Sequence, residues 1–188
     1  IRRCALQKRS HKLLASQLLE ARNGFQRRRF ELAFLFGSFQ PDCNPLSYIK
    51  GSLSGPLLRG HNFPNSQPYI LSRIARLQQR RRWRLWQYYT LGKLTHYLAD
   101  TFTFPHNPHY PTGLKNHHSY ETVLRLTLQE YLRTTPLPAV GAPVPDLPSA
   151  LAELHRRYLG EAASPDRDVQ YIVRATVLLM ACCRPAAV

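Results

Sequence analysis

Acidic side chains are scarce in this sequence: 11 Asp and Glu stand against 26 Lys and Arg, a formal charge of +15. That shortage constrains partners rather than fold, and it predicts attraction to polyanions, either nucleic acid or an anionic lipid surface. Long apolar runs are missing as well. The longest candidates, Tyr171 to Cys183 (broken by Arg174) and Leu32 to Phe36, fall short of the roughly 20 residues that a membrane-spanning helix needs, which excludes an integral membrane protein. Cysteine is sparse and badly placed for bridging. Cys4, Cys43, Cys182 and Cys183 contain no CxxC pair and two of them are adjacent, which excludes a zinc ribbon and a disulfide scaffold and leaves the redox compartment open. Strand signals are poor, with no sustained apolar–polar alternation bounded by hairpin turns. No signal peptide is readable from a chain that opens at Ile1, so localisation stays unknown.

What is present reads as a folded body. Hydrophobic residues make up 44% and charged residues 20% of 188 residues, an ordinary globular balance and a length that fits one domain, 1–188. Apolar residues at helical spacing run through Leu6, Leu13, Leu14, Leu18 and Leu19, and again through Tyr88, Leu91, Leu94, Thr95 and Leu98. Further helices are expected near Gln26 to Phe36, Pro68 to Gln79, Tyr120 to Leu132, Pro148 to Tyr158 and Pro165 to Ala181. The fold class is therefore all-α, a single-domain bundle of six or seven helices. Asn23-Gly24 follows a helical run and serves as its C-terminal cap. Two connections are long. Gly37 to Gln67 is dense in Gly, Pro, Asn and Ser, which discourages helix, and loops of that length inside a domain are usually functional. Thr134 to Pro148 is proline-rich, with Asp146 its one ionisable residue, and reads as an extended surface connection.

The basic residues cluster as Arg2-Arg3, Arg27-Arg28-Arg29 and Arg80-Arg81-Arg82, with Arg84 following in a segment that also carries Trp83 and Trp86. One reading is a solvated helix face. The other is peripheral docking on an anionic membrane, where each basic residue near the surface is worth about 1 kcal/mol.

Chemistry concentrates between His96 and Glu121. On a helix, residues four apart share a face, so His96 and Asp100 can point at one ion, and so can His117 and Glu121. Pro105 is expected to end the first helix, and the turn after it can swing His106 back toward the same region. A single His four residues from an acid is more often a surface ion pair. Two such pairs plus a His after a Pro turn are harder to reach by chance. Imidazole nitrogen mixed with carboxylate oxygen suits zinc in a hydrolytic site, with manganese or iron as allowed substitutes. Two ions about 3.5–4 Å apart can clamp a phosphoryl oxygen and lower the pKa of a bound water toward roughly 7, so in-line attack on a phosphate ester follows. His118, three residues from Glu121, can stand in for His117, and His109 belongs to a solvated loop. Tyr97 and Tyr120 are expected to pack rather than touch substrate. Asn116 and Ser119 are candidates to orient imidazoles, and Cys43 is expected as a buried neutral thiol.

These residues resemble the bacterial zinc-dependent phospholipases C. His96-Tyr97, Asp100, Pro105, His106 and Asn107 look like that family's central signature, except that Pro105 touches His106 directly where the family leaves a residue between them. His117 with Glu121 resembles its His and Glu four apart, and His11, Asp42 and His61 stand in the order of its upstream ligands. The resemblance implies an all-helical fold with three zinc ions in a cleft. Asp42, His61, His96 and Asp100 would hold one ion, His106, His117 and Glu121 a second, and His11 with a bridging Asp100 a third. In the family an N-terminal Trp completes the third. This chain opens Ile1-Arg2-Arg3, so the expectation is two or three zinc ions. Asp42 is the candidate to orient or deprotonate the attacking water. Localisation on this reading is secreted or cytoplasmic in a bacterium.

Three functions compete. The first is phospholipase C-type cleavage of phospholipid head groups. The second is a zinc-dependent single-strand nuclease or other phosphodiesterase, which resembles it in architecture and for which +15 is equally suitable. The third is a non-catalytic basic protein whose metal only stabilises the fold. His96-Tyr97 leading to Pro105-His106 looks more like the phospholipase pattern.

Overall fold

A computed structural model describes residues 8–43, 63–107 and 114–185, leaving aside the side chains at 63–65, 106 and 114–118. Among the described residues it is all-helical, with α1 Lys8–Ala21, α2 Arg28–Cys43, α3 Phe63–Gln78, α4 Leu85–Thr101, α5 Leu114–Thr134, α6 Leu147–Gly160 and α7 Pro165–Cys182. A single tight helical turn, Phe104–His106, stands between α4 and α5. No described helix is long and apolar enough to cross a membrane.

The helix ends follow local chemistry. Asn23 and Gly24 both adopt positive φ, 59° and 73°. The Gly24 amide donates to the Leu19 carbonyl and the Asn23 amide to that of Glu20, which takes up the last carbonyls of α1 in the paired pattern of a Schellman cap. Asp146 and Ser164 start α6 and α7 by accepting from the amides of Ser149 and Arg167, with a proline in the first turn of each helix.

α4 is the central element. From Thr90 to Thr101 every residue but Lys93 is buried, as expected of a helix packed on several sides. It contacts α1, α2, α3 and α7, while α5 packs on α1 and α7. Its closest partner is α2. A Cβ added to Gly37 would fall 2.1 Å from the Tyr89 carbonyl oxygen, and one added to Gly92 would fall 2.1 Å from that of Phe34. The two backbones therefore touch directly, which only residues without a side chain permit. Phe30 stacks on Tyr88, and further along the His96 ring reaches the Ser38 carbonyl, so the two helices run in the same direction.

Three expectations need correction. Residues 37–43 and 63–67 are helical, not loop: Gly37 serves this close approach and packing outweighs the local bias of Gly37 and Pro41, and α3 starts at Phe63 with Pro68 inside it. α4 ends at Thr101, before Pro105. Thr101 and Thr103 hydroxyls return to the carbonyls of Leu98 and Asp100, and the Asn107 amide donates to those of Thr101 and Thr103, so the chain leaves the helix earlier and Pro105 opens the next turn. Cys43 is exposed. One residue along a helix turns the side chain by about 100°, so the neighbour of the inward-facing Asp42 points out. The stretch 135–146 is an extended surface connection, as expected, held down by buried Leu137. Cys182 and Cys183 are buried free thiols, and burial pushes the Cys183 thiol up to about 12.

Candidate metal centre

Three helices deliver four polar side chains into the apolar interior. His11 lies on the first turn of α1, Asp42 near the end of α2, and His96 and Asp100 one turn apart on α4. They are 1%, 4%, 0% and 0% exposed, so whatever neutralises them is not bulk water. One donor atom each of His11, Asp42 and His96 lies within 4.8 Å of the other two, a spacing that suits ligands of one cation or of two neighbouring cations that share a carboxylate.

The finer distances support that reading. His96 Nε2 is 3.3 Å from a carboxylate oxygen of Asp100 and 3.7 Å from one of Asp42. His11 Nε2 is 3.4 Å from Asp100 and 4.0 Å from Asp42, and the two imidazole rings have centroids 4.0 Å apart. Charge-assisted N–H···O bonds are shorter, about 2.7–2.9 Å. Donors about 2.0–2.1 Å from a tetrahedral zinc sit roughly 3.3–3.4 Å from one another, close to the shorter separations here.

The tautomer of His96 sharpens the point. Its Nδ1 lies 3.0 Å from the Ser38 carbonyl oxygen, which can only accept, so Nδ1 carries a proton. Nε2 then presents its lone pair, or a second proton, toward two carboxylates. Either way the centre of the cluster calls for positive charge, and a backbone carbonyl holding the far nitrogen is how ligating histidines are usually oriented. Ser38 was not legible as that partner, because nothing in a serine's identity marks its backbone carbonyl. Burial pulls the His11 imidazole down, but Asp100, then Asp42, outweigh it and leave the ring above the ordinary histidine value. Both His11 nitrogens are buried without a hydrogen bond among the described residues. The donor set therefore fits a cation such as zinc.

Three of the other expected ligands, His106, His117 and Glu121, are carried by the turn after α4 and by α5. Glu121 is buried on α5, four residues after His117 on the same helix. His106 lies in the single turn after α4, and the side chains of His106, His117, His118 and Asn116 fall outside the description, as do His61 and His109 altogether. Ser119 is exposed. Tyr97 packs edge-on against the His96 ring, in line with a packing role.

One buried carboxylate escaped the sequence. Asp168, in the first turn of α7 and fully buried, accepts from the Phe104 amide (2.8 Å) and the Tyr120 hydroxyl (2.9 Å) on one oxygen. Its other oxygen accepts from the Tyr158 hydroxyl (2.9 Å) and the Arg167 guanidinium (3.0 Å). Burial pushes this carboxyl up, and those donors oppose the shift. Asp168 thereby ties down Phe104, two residues before His106, and Tyr120, next to Glu121. Its only sequence signal was an acid in the first turn of a helix. His155 is a further buried group, 3.1 Å from the Asn107 amide oxygen, and burial lowers it to about 4.

A helical protein that gathers imidazole and carboxylate donors from three helices around one buried point belongs to the class of helical metal centres. More specifically, the chain belongs to the zinc dependent phospholipase C family, whose model matches residues 10–164. The match begins beside His11 and ends at the cap of α7, so Asp168 lies beyond it. No curated protein and no solved structure matches the chain.

Proposed function

We propose that this chain is a single domain spanning 1–188 that hydrolyses phosphodiester bonds of phospholipid head groups with zinc. The observation that carries the reading is the convergence of His11, Asp42, His96 and Asp100 on one buried point, in a chain of a zinc-dependent phospholipase C family. Asp42, His61, His96 and Asp100 hold one ion, His106, His117 and Glu121 a second, and His11 shares Asp100 toward a third. Bound zinc supplies Lewis acidity toward phosphoryl oxygens and makes hydroxide accessible near neutral pH.

The chain's own groups supply position. Ser38 fixes the His96 ring so that Nε2 faces the cluster. Asp42 reaches toward both histidines, where it can orient the attacking water and accept its proton. The buried setting strengthens each electrostatic contact and keeps bulk water from competing for the same donors. Asp168 holds the two segments that carry His106 and Glu121 in register with the rest.

The test is elemental analysis of purified protein beside a substrate panel of phosphatidylcholine, anionic phospholipids, a chromogenic phosphocholine ester and a single-stranded oligonucleotide. At least two zinc equivalents and chelator-sensitive cleavage of the phospholipids are expected. Cleavage of the oligonucleotide alone would assign a nuclease instead, and zinc without any turnover would leave a metal-stabilised binding protein.

A further inference from the structure

The starts of α2 and α4 present an apolar surface that the metal centre does not use. Leu32 and Phe36, four residues apart on one face of α2, are 53% and 52% exposed, and Leu85 and Trp86 at the start of α4 are 47% and 65% exposed. The rings form one patch across both helices. Phe36 stacks on Tyr89 with centroids 5.9 Å apart, and Tyr89 meets Trp86 at 4.9 Å. Trp83, by contrast, is buried and donates its indole N–H to the Leu77 carbonyl.

Seven exposed arginines border the same end. Arg27 precedes α2 and Arg28 and Arg29 form its first turn, while Arg80, Arg81, Arg82 and Arg84 precede α4. Because the two helices run in the same direction, both runs lie at their shared N-terminal end. Among the described residues, only Arg28 of the seven has a carboxylate partner, Glu31 at 3.1 Å.

We infer that this face docks the protein onto an anionic lipid surface, with Leu32, Phe36, Leu85 and Trp86 entering the head-group region and the arginines engaging lipid phosphates. Aromatic rings with a polar edge and aliphatic side chains gain by leaving water for the acyl boundary, and flanking arginines gain from the negative surface potential. A single-stranded nucleic acid would use stacked rings and cations, but it would leave Leu32 and Leu85 with nothing to cover them. The placement suits the proposed substrate. Asp42 lies six residues beyond Phe36 and His96 seven beyond Tyr89, about 9–10.5 Å along helices that rise about 1.5 Å per residue. The purpose of docking rests on the phospholipase reading, while the docking itself is testable without catalysis.

The experiment measures co-sedimentation of the full chain with vesicles of phosphatidylcholine alone and of equal parts phosphatidylcholine and phosphatidylserine. Tryptophan emission is recorded alongside. Binding to the anionic vesicles only, weakened by salt, with a blue shift arising from Trp86, is expected. Combined Phe36→Ala and Trp86→Ala should weaken partitioning roughly tenfold or more and abolish the shift. Arg82→Gln with Arg84→Gln should weaken it and flatten its salt dependence, whereas Val123→Ala with Leu126→Ala, exposed on α5, should leave it unchanged. Equal binding to neutral vesicles, undiminished binding by the Phe36 and Trp86 variant, or oligonucleotide binding in place of vesicle binding would overturn the proposal. Hydrolysis of a water-soluble short-chain phospholipid should be unchanged in that variant. Its absence in the wild-type chain would count against the catalytic reading and leave docking standing.

Discussion

Two carboxylates at the heart of this protein are equally hidden from water, and they are treated in opposite ways. Asp168 meets four protein donors at 2.8–3.0 Å, distances at which each hydrogen bond is fully formed. Asp100 instead shares its surroundings with two imidazoles whose Nε2 atoms stand 3.3 and 3.4 Å away, alongside a second acid, Asp42. The first arrangement closes on itself and the second converges on a point. A buried charge whose partners come from the fold is architecture, whereas buried donors aimed at a common centre are the mark of a site that takes a cation from outside. Burial alone would not have separated the two.

The difference predicts a ranking of consequences. The largest effect belongs to Asp100→Asn, which should lose both zinc and hydrolysis while the folded helical content by circular dichroism is kept; His109→Ala should retain zinc and turnover. The reverse pattern in metal analysis and kinetics would show that the centre lies elsewhere. Next comes Asp168→Asn. It leaves the Arg167 guanidinium buried without its counter-charge and should cost about 3–5 kcal/mol in urea unfolding. Because Asp168 also holds the segments that carry His106 and Glu121, that loss should be larger in the zinc-loaded protein than with chelator, and an equal loss in both would uncouple Asp168 from the metal centre.

Gly92→Ala should follow, at about 1–3 kcal/mol, since the new methyl meets backbone rather than a side chain that can swing aside. Zinc affinity should fall with it, because Asp42 and His96 lie just beyond the contact. Unchanged affinity in a titration of the destabilised variant would uncouple helix packing from the metal centre. The smallest effect is acid sensitivity on the Asp168 side. His155 titrates near 4 when folded and near 6.5 otherwise, so the unfolded chain binds the extra proton in that window. Stability is fully present above about pH 6.5 and declines as the pH falls toward 4. The urea midpoint followed against pH should show this slope in metal-free protein, and His155→Gln should flatten it.

Much of the fold was legible, because helical periodicity is a local property and every expected helix is present. The reading failed where a residue's reason was distant. Gly37 and Pro41 read as loop because their local bias is against helix, while the cause of Gly37 is the Tyr89 carbonyl of another helix. Cys43, expected as a buried neutral thiol beside Asp42, is exposed because helix geometry turns adjacent side chains apart. In the centre, the His96–Asp100 pair was readable from spacing, and the family resemblance supplied His11 and Asp42 from far upstream. Asp168 was not readable, since its partners Phe104 and Tyr120 lie 64 and 48 residues away and none of them forms a spaced motif with it.

The bare crossing of α2 over α4 has an evolutionary consequence. Asp42 lies five residues from Gly37 and His96 four from Gly92, about 7.5 and 6 Å along their helices. Their spacing is thus referenced to main chain, which does not mutate, rather than to side chains, which do. Leucines and phenylalanines elsewhere in the interior can drift among similar volumes without retuning the distance between donors, provided the two glycines are left alone.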